Sequence, residues 1–264
     1  MPTIERDGTK LAYEERGTGE PAFVFVHGWT CDRSFFAPQA EHFARRHRVV
    51  SVDLRGHGES DKPEGPYSIA AFADDVAYVM ERLGVDRAVV VGHSMGGVTV
   101  LQLAAAHPDR VAALVMVDPA PFSLPPEVRP DVEALLASIA AGHEEPRRGF
   151  IVDRFFLPAS DPALVQRVLG VMMAAPPHVA AGALRAAFEF DAPAAAARCK
   201  APALHIAATP AFNEPHRMSQ WLPGVVNGWT VGAGHFNQLE APEQVTSMIE
   251  GFLRHHAALA QPHS

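Results

Sequence analysis

The stretch Val89-Val-Val-Gly-His-Ser-Met-Gly-Gly97 decides how this chain is read. Its first part belongs to an unbroken apolar run, residues 88–91, of the kind found in strands buried on both faces. Its second part opens a segment, residues 95–107, with the apolar spacing of a helix. Between them stands Gly92-His-Ser-Met-Gly96, a G-x-S-x-G run in a strand-to-helix context. So sharp a turn strains the backbone at Ser94, and glycines two residues to either side let neighbouring chains come close. The Ser94 hydroxyl is then expected to stand clear of the sheet, at the positive end of the following helix. A serine so held is a candidate nucleophile.

Outward from this motif the pattern repeats. Residues 21–26, 48–53 and 113–117 are further continuous apolar runs, and 35–47 and 69–83 have helical spacing. Such alternation predicts right-handed crossovers and a parallel sheet covered on both faces. Ahead of it, Thr3–Arg6 and residues 10–15 flank an Asp-Gly pair and read as a hairpin. After Asp118 the alternation stops. Helical segments are read at 127–141, 146–156, 163–173 and 179–190, broken by Pro-Pro pairs at 125–126 and 176–177. It resumes with strands at Ala203–Ala207 and 228–231 and a closing helix at 242–256. The chain thus divides into an α/β core in two parts, residues 1–118 and 199–264, with a helical cap, 119–198, inserted between two strands. The tail from Ala257 to Ser264 is expected to fray.

Two loops carry the remaining chemistry. Val26-His-Gly-Trp29 follows a central strand, and acyl transfer needs N–H donors fixed where an oxyanion forms. The amides of Met95, just after the nucleophile, and of Trp29 would supply two; His27 is read as a brace for the loop. Val231-Gly-Ala-Gly-His-Phe236 follows the last predicted strand, where small residues allow a tight loop that swings an imidazole towards Ser94. His235 is therefore the candidate base among 14 histidines.

Composition narrows the field. A chain of 264 residues that is 48% hydrophobic and 20% charged is not disordered. Its 20 Gly and 23 Pro show no period, which excludes a fibre. Thirty acidic residues against 22 basic ones give a charge of −8, so nucleic acid is not an expected partner. Cys31 and Cys199 make no disulfide framework and no zinc pattern, and no metal or cofactor is expected. No basic-then-apolar leader is visible, and no apolar run reaches the roughly 20 residues that cross a bilayer. A soluble cytoplasmic protein without a membrane partner is the expectation; the oligomeric state is not legible.

With the elbow, the His27-Gly28 loop and the late Gly234-His235, the chain resembles the α/β-hydrolase superfamily over almost its whole length. Asp53-Leu-Arg-Gly-His-Gly-Glu-Ser60 looks like that family's D-x-R-G-x-G-x-S turn, a structural brace, so Arg55 and His57 are given no catalytic part. The resemblance implies the α/β-hydrolase fold: an eight-stranded, mostly parallel sheet, a helical cap and a Ser-acid-His triad. It is nearer to the small ester and lactone hydrolases than to the large lipases.

The acid departs from the family's pattern. Its usual turn, after the next-to-last strand, here continues Thr209-Pro-Ala-Phe-Asn-Glu214. Counting back from Pro215 sets the acid position at Ala211, which cannot orient an imidazole. Some members of the superfamily, among haloalkane dehalogenases and lactonases, carry the acid after the strand that follows the nucleophile helix, and Asp118 holds that place. Asp118 is the preferred acid. Glu214, reaching from a shifted turn, is the alternative, and a neutral partner such as Asn213 stays open.

Trp29, Met95, Phe122, Phe155, Phe156, Met172, Phe188 and Phe236 are candidate walls for an apolar or aromatic substrate. Arg147, Arg148 and Arg154 read as solvated cap surface. The expected function is a cofactor-free serine hydrolase of the carboxylesterase or lactonase type, whose partner is a small-molecule ester or lactone. Carbon–carbon hydrolysis or perhydrolysis on the same triad differs only by pocket. An epoxide hydrolase or dehalogenase would need a carboxylate where Ser94 stands. A ligand-binding receptor on this fold need not keep a base or an oxyanion hole.

Overall fold

The structure, a computed structural model, describes residues 1–256; the expected fraying of the tail falls outside the described residues. Eight strands form one sheet: β1 (Thr3–Arg6), β2 (Thr9–Arg16), β3 (Ala22–Val26), β4 (Val49–Val52), β5 (Ala88–His93), β6 (Val111–Val117), β7 (Ala203–Ala207) and β8 (Val226–Trp229). Their order is β1-β2-β4-β3-β5-β6-β7-β8. The pairs β1–β2 and β2–β4 are antiparallel and all the others parallel. The β1–β2 turn is the predicted Asp-Gly turn, with Asp7 and Gly8 both at positive φ, as a two-residue hairpin loop requires.

Helices α1 (Ala37–Phe43), α2 (Ile69–Arg82) and α3 (Met95–Ala106) alternate with the first strands. Between β6 and β7 lie α4 (Arg129–Ala140), α5 (Glu144–Phe155), α6 (Pro162–Met173), α7 (Pro177–Glu189) and the short α8 (Ala192–Ala196). The chain closes with α9 (Pro215–Trp221), α10 (Asn237–Glu240) and α11 (Pro242–His255). Among the described residues no helix is long and apolar enough to cross a membrane.

The central strands are continuous apolar runs because both of their faces are covered. Phe23, Phe25, Val89, Val91, Val115, Val117, Leu204 and Ile206 pack with Phe36 and Phe43 on one side and with Val245, Ile249 and Phe252 of α11. Val24, Val26, Val90, Leu114 and Met116 face the other way, onto Phe72, Val76 and Met80 of α2 and Val98 and Leu101 of α3. Fully burying each such side chain contributes about 1.5–3 kcal/mol, which makes this register hard to shift.

Two expectations need adjustment. The segment 35–47 is a 3₁₀ turn, Arg33–Phe36, followed by α1, which ends at Phe43. The last strand runs over Val226–Trp229, two residues earlier than expected. It is an edge strand with mostly exposed side chains, so Trp229 and the 80% exposed Val231 carry no burial signal to mark its bounds.

Register positions the site. Val26 lies opposite Gly92, and His93 opposite Val117, so the C-terminal ends of β3, β5 and β6 stand side by side. The chain leaves β3 for β4 on one side and returns to β5 on the other. That is a topological switch point, where crevices open at the strand ends of α/β sheets.

Candidate active site

Ser94 occupies the elbow between β5 and α3 with φ 54° and ψ −119°, a strained backbone for a residue with a Cβ. The neighbouring glycines are sterically required. A Cβ on Gly92 would sit 2.1 Å from the Gly96 carbonyl oxygen, and one on Gly96 would sit 2.2 Å from that of Val26. The Ser94 amide donates to the Val117 carbonyl (3.1 Å), and its own carbonyl accepts from Gly97 (2.9 Å) and Ala120 (3.0 Å). The elbow is therefore bound to the end of β6.

Asp118 is the next residue after β6, fully buried and itself at positive φ (36°). Its Oδ2 lies 2.6 Å from Nδ1 of His235. Its Oδ1 accepts long hydrogen bonds from the amides of Ala208 (3.3 Å) and Phe212 (3.4 Å). Those two amides belong to the turn after β7, where the family's usual acid would stand. With Ala211 there, the turn presents N–H groups to a carboxylate that arrives from β6. Glu214 is exposed at the start of α9. Asn213 is buried and braces the chain after Asp118: it accepts from the Phe122 amide and donates to the carbonyls of Pro119 and Ala120.

His235 is 3% exposed, with its ring centroid 4.5 Å from those of Phe155 and Phe212. Its amide donates to the Phe155 carbonyl (2.9 Å). Burial takes its imidazole down to about 3, and burial likewise pushes the Asp118 carboxyl up to about 7. The dry site thus disfavours charge on both groups. At neutral pH the imidazole is uncharged and carries its proton on Nδ1, towards Asp118, which leaves Nε2 able to accept.

The loop after β3 comes directly against the elbow. A Cβ on Gly28 would lie 2.9 Å from Nδ1 of His93 and 3.1 Å from Cβ of Ser94. His27 acts as a brace: its Nδ1 donates to the Gly28 carbonyl (2.8 Å) and its Nε2 accepts from the Leu54 amide (3.1 Å). Burial lowers its pKa and keeps it neutral. Asp53 accepts from the amides of Arg33 and Glu59 and from the Arg33 guanidinium, and Arg55 is paired with Asp75. These are structural bonds of the turn, as its sequence implies.

Ser94 lies on the floor of a cavity of about 410 Å³. Trp29, Met95, Phe155 and Phe188 line it, as expected. Phe122, Phe156, Met172 and Phe236 do not. The Phe122 ring stacks on Trp221, Phe156 lies against Phe236 and Phe236 against Phe35, while Met172 is buried in the core; each is used up in packing. The walls that sequence reasoning missed are Phe150, Phe212 and a stripe of Val128, Val132 and Leu135. The stripe's i, i+4, i+7 spacing was the available signal.

Of the arginines read as solvated surface, Arg154 is exposed and Arg147 is not. Arg154, with Asp131, lines the same cavity and forms its charged rim. Arg147 is buried, because its guanidinium donates to the carbonyls of Met172 and Ala175 at the end of α6 and lies 5.6 Å over the Trp29 ring. The Trp29 indole N–H donates to the Ala180 carbonyl of α7 (2.7 Å), so the inserted helices hold this side chain in the wall. Among the described residues no group of three or more His, Cys, Asp or Glu converges as a metal site.

The sequence profile of the alpha/beta hydrolase fold family matches residues 21–194, and the chain belongs to that family. It is 31% identical over 238 residues to a putative carbamate hydrolase RutD of a Caulobacter species, covering 85% of this chain and 87% of the relative. A 2-(acetamidomethylene)succinate hydrolase of Mesorhizobium japonicum is 38% identical, over 42% of this chain and only 40% of the relative's length. Among solved structures, a thermophilic esterase of Thermogutta terrifontis superposes with a TM-score of 0.86 at 27% identity, covering 98% of this chain and 97% of the other. The enol-lactonase of Burkholderia xenovorans gives 0.85 at 26% identity, covering 96% and 100%.

Proposed function

We propose that this protein is a serine hydrolase of carboxylic esters or lactones with an apolar or aromatic body. One observation carries the reading: the 2.6 Å Asp118–His235 contact, buried beside a strained serine at the floor of an apolar cavity. The Ser94 hydroxyl attacks the ester carbonyl while Nε2 of His235 takes its proton. The Asp118 carboxylate holds the tautomer and offsets the burial that opposes an imidazolium. The amides of Trp29 and Met95 hold the oxyanion, each worth about 3 kcal/mol of barrier. His235 then protonates the leaving alcohol and activates the water that releases the acid.

The closeness of the Gly28 backbone to Ser94 supports the assignment of the Trp29 amide. The cavity is at the small end of the usual range of about 300–1,000 Å³, which suits a small molecule. The names of the esterase and lactonase neighbours support the substrate class. The test is hydrolysis of p-nitrophenyl butyrate by wild type and Ser94→Ala, with phosphonate labelling of Ser94. Unchanged turnover in the variant rejects the nucleophile. A panel of esters, lactones, carbamates and β-diketones then ranks this chemistry against carbon–nitrogen and carbon–carbon cleavage.

A further inference from the structure

Beside the three groups of the proposed triad lies a buried imidazole that the chemistry above does not use. His93, the residue before Ser94, is fully buried. Its Nε2 is 2.8 Å from the carbonyl oxygen of His235. A carbonyl only accepts, so Nε2 carries the proton and Nδ1 carries none. Among the described residues Nδ1 has no hydrogen-bond partner. It faces the backbone of Gly28, where an added Cβ would come within 2.9 Å. The His93 and His235 rings lie 4.6 Å apart. One ring therefore spans from the loop that carries the Trp29 amide to the main chain of His235.

The loop that carries His235 is held at several points: Val231 exchanges two main-chain hydrogen bonds with the Gln244 side chain, and the Ala233 carbonyl accepts from the Thr209 amide (3.1 Å). It leaves β8, an exposed edge strand, through exposed Val231 and Gly232. The Gly234 amide bonds Glu240 (3.1 Å), close by in sequence, and the His235 amide bonds Phe155, at the end of an inserted helix. The Asp118 contact fixes the rotation of the imidazole, and the Phe155 bond holds the main chain at the amide of His235 only. A bond from His93 ties that main chain to the strand that bears Ser94. A leucine would fill the same space and remove the unpaired Nδ1, but it would leave the buried His235 carbonyl without this donor, so packing alone does not explain an imidazole here. Its donor does.

We propose that His93 is a positioning residue: its Nε2–H holds the main chain of His235, and its ring sets the Gly28–Trp29 loop, so that base and oxyanion amide stay aligned with Ser94. This rests on the hydrolase reading above. The test compares His93→Gln, His93→Asn and His93→Leu with wild type, measuring kcat and KM on p-nitrophenyl butyrate per phosphonate-labelled site. A glutamine amide reaches the position of Nε2; an asparagine amide stops near that of Nδ1. The Leu and Asn variants are expected to lose about 10- to 100-fold in kcat, with KM within about threefold. Gln is expected to stay within about threefold of wild type. A Gln variant as impaired as Leu, or a Leu variant with wild-type kcat, overturns the role. Should Leu fail to fold, Gln against Asn decides: equal loss overturns it. A wild type that is neither active nor labelled sinks the hydrolase reading itself, whereas a labelled, active wild type with three like variants sinks only the role of His93.

Discussion

Nδ1 of His235 meets Oδ2 of Asp118 at 2.6 Å, across 117 residues of sequence and with both side chains buried. An asparagine at 118 would turn an amide N–H towards Nδ1 and force the proton onto Nε2, where it blocks the attack of Ser94. Asp118→Asn is therefore expected to lower kcat on p-nitrophenyl butyrate by about 10³- to 10⁴-fold. Exposed Glu214 touches none of this, and Glu214→Gln is expected to remain within about twofold. The reverse pattern would move the acid to α9.

The same substitution should stabilise the fold. Burial raises the Asp118 carboxyl from the ordinary carboxylate range to about 7, so the folded state resists ionising it. The cost is absent below about pH 4, grows between about 4 and 7, and is fully present above. Asparagine removes it. Above pH 7 the variant is expected to melt about 2–4 °C higher, on the order of 1 kcal/mol, with the gain vanishing towards pH 4. Thermal melts at pH 4, 6 and 8 check this; a gain independent of pH would show that ionisation is not its source.

Activity follows pH with a definite sign. The working form has one proton on the His235–Asp118 pair, and a second proton removes the base. Because burial lowers the imidazole to about 3 and raises the carboxyl to about 7, the pair titrates with an apparent pKa no higher than about 7. The log of kcat/KM is expected to climb with unit slope to that point and then stay flat to about pH 9. A fall between pH 7 and 9 would mean that a further, protonated group is essential.

Much of the site was legible because the elbow's sterics admit only particular residues. Carbonyl oxygens stand within 2.2 Å of where Cβ atoms on Gly92 and Gly96 would be, and no other residue type fits. The Asp118–His235 pairing was legible in part: Ala211 cannot orient an imidazole from the usual turn, but only the structure reveals that this turn feeds its amides to Asp118. The walls were the least legible. An aromatic residue reads alike in sequence whether it lines a cavity, as Phe155 does, or stacks in the core, as Phe122 does on Trp221. Helix rotation decides between them. Arg147 misled for a related reason: what buries it is a pair of backbone carbonyls at the end of α6, and these have no sequence signature.

Gly28→Ala tests the closeness of the oxyanion loop. Gly28 does not have positive φ, so alanine brings no backbone strain, and its Cβ collides with the His93 ring and Cβ of Ser94 instead. The expected result is a fall of about 100-fold in kcat with KM within about threefold, because the loop must back away from the reacting carbonyl. Stability is expected to drop by about 1–3 kcal/mol, the usual cost of overpacking. Steady-state kinetics and a urea melt read both; near-normal kcat would remove Trp29 from the proposed oxyanion hole.

In the proposed reading the cavity limits substrate length, and Ala187 offers a way to narrow it. This residue is on α7, faces the space above Ser94, and shares its wall with Leu184 and Phe188. Ala187 is also buried in the core, so a larger side chain takes up cavity space at an overpacking cost of about 1–3 kcal/mol. Ala187→Leu is expected to leave p-nitrophenyl acetate turnover within about threefold and to lower kcat/KM for the octanoate ester by at least about tenfold. The contrast arises because the short acyl group never reaches α7, while the long one loses both space and apolar contact. An equal loss on both esters would mean that the acyl chain lies elsewhere and that the stripe of Val128, Val132 and Leu135 faces the leaving group instead.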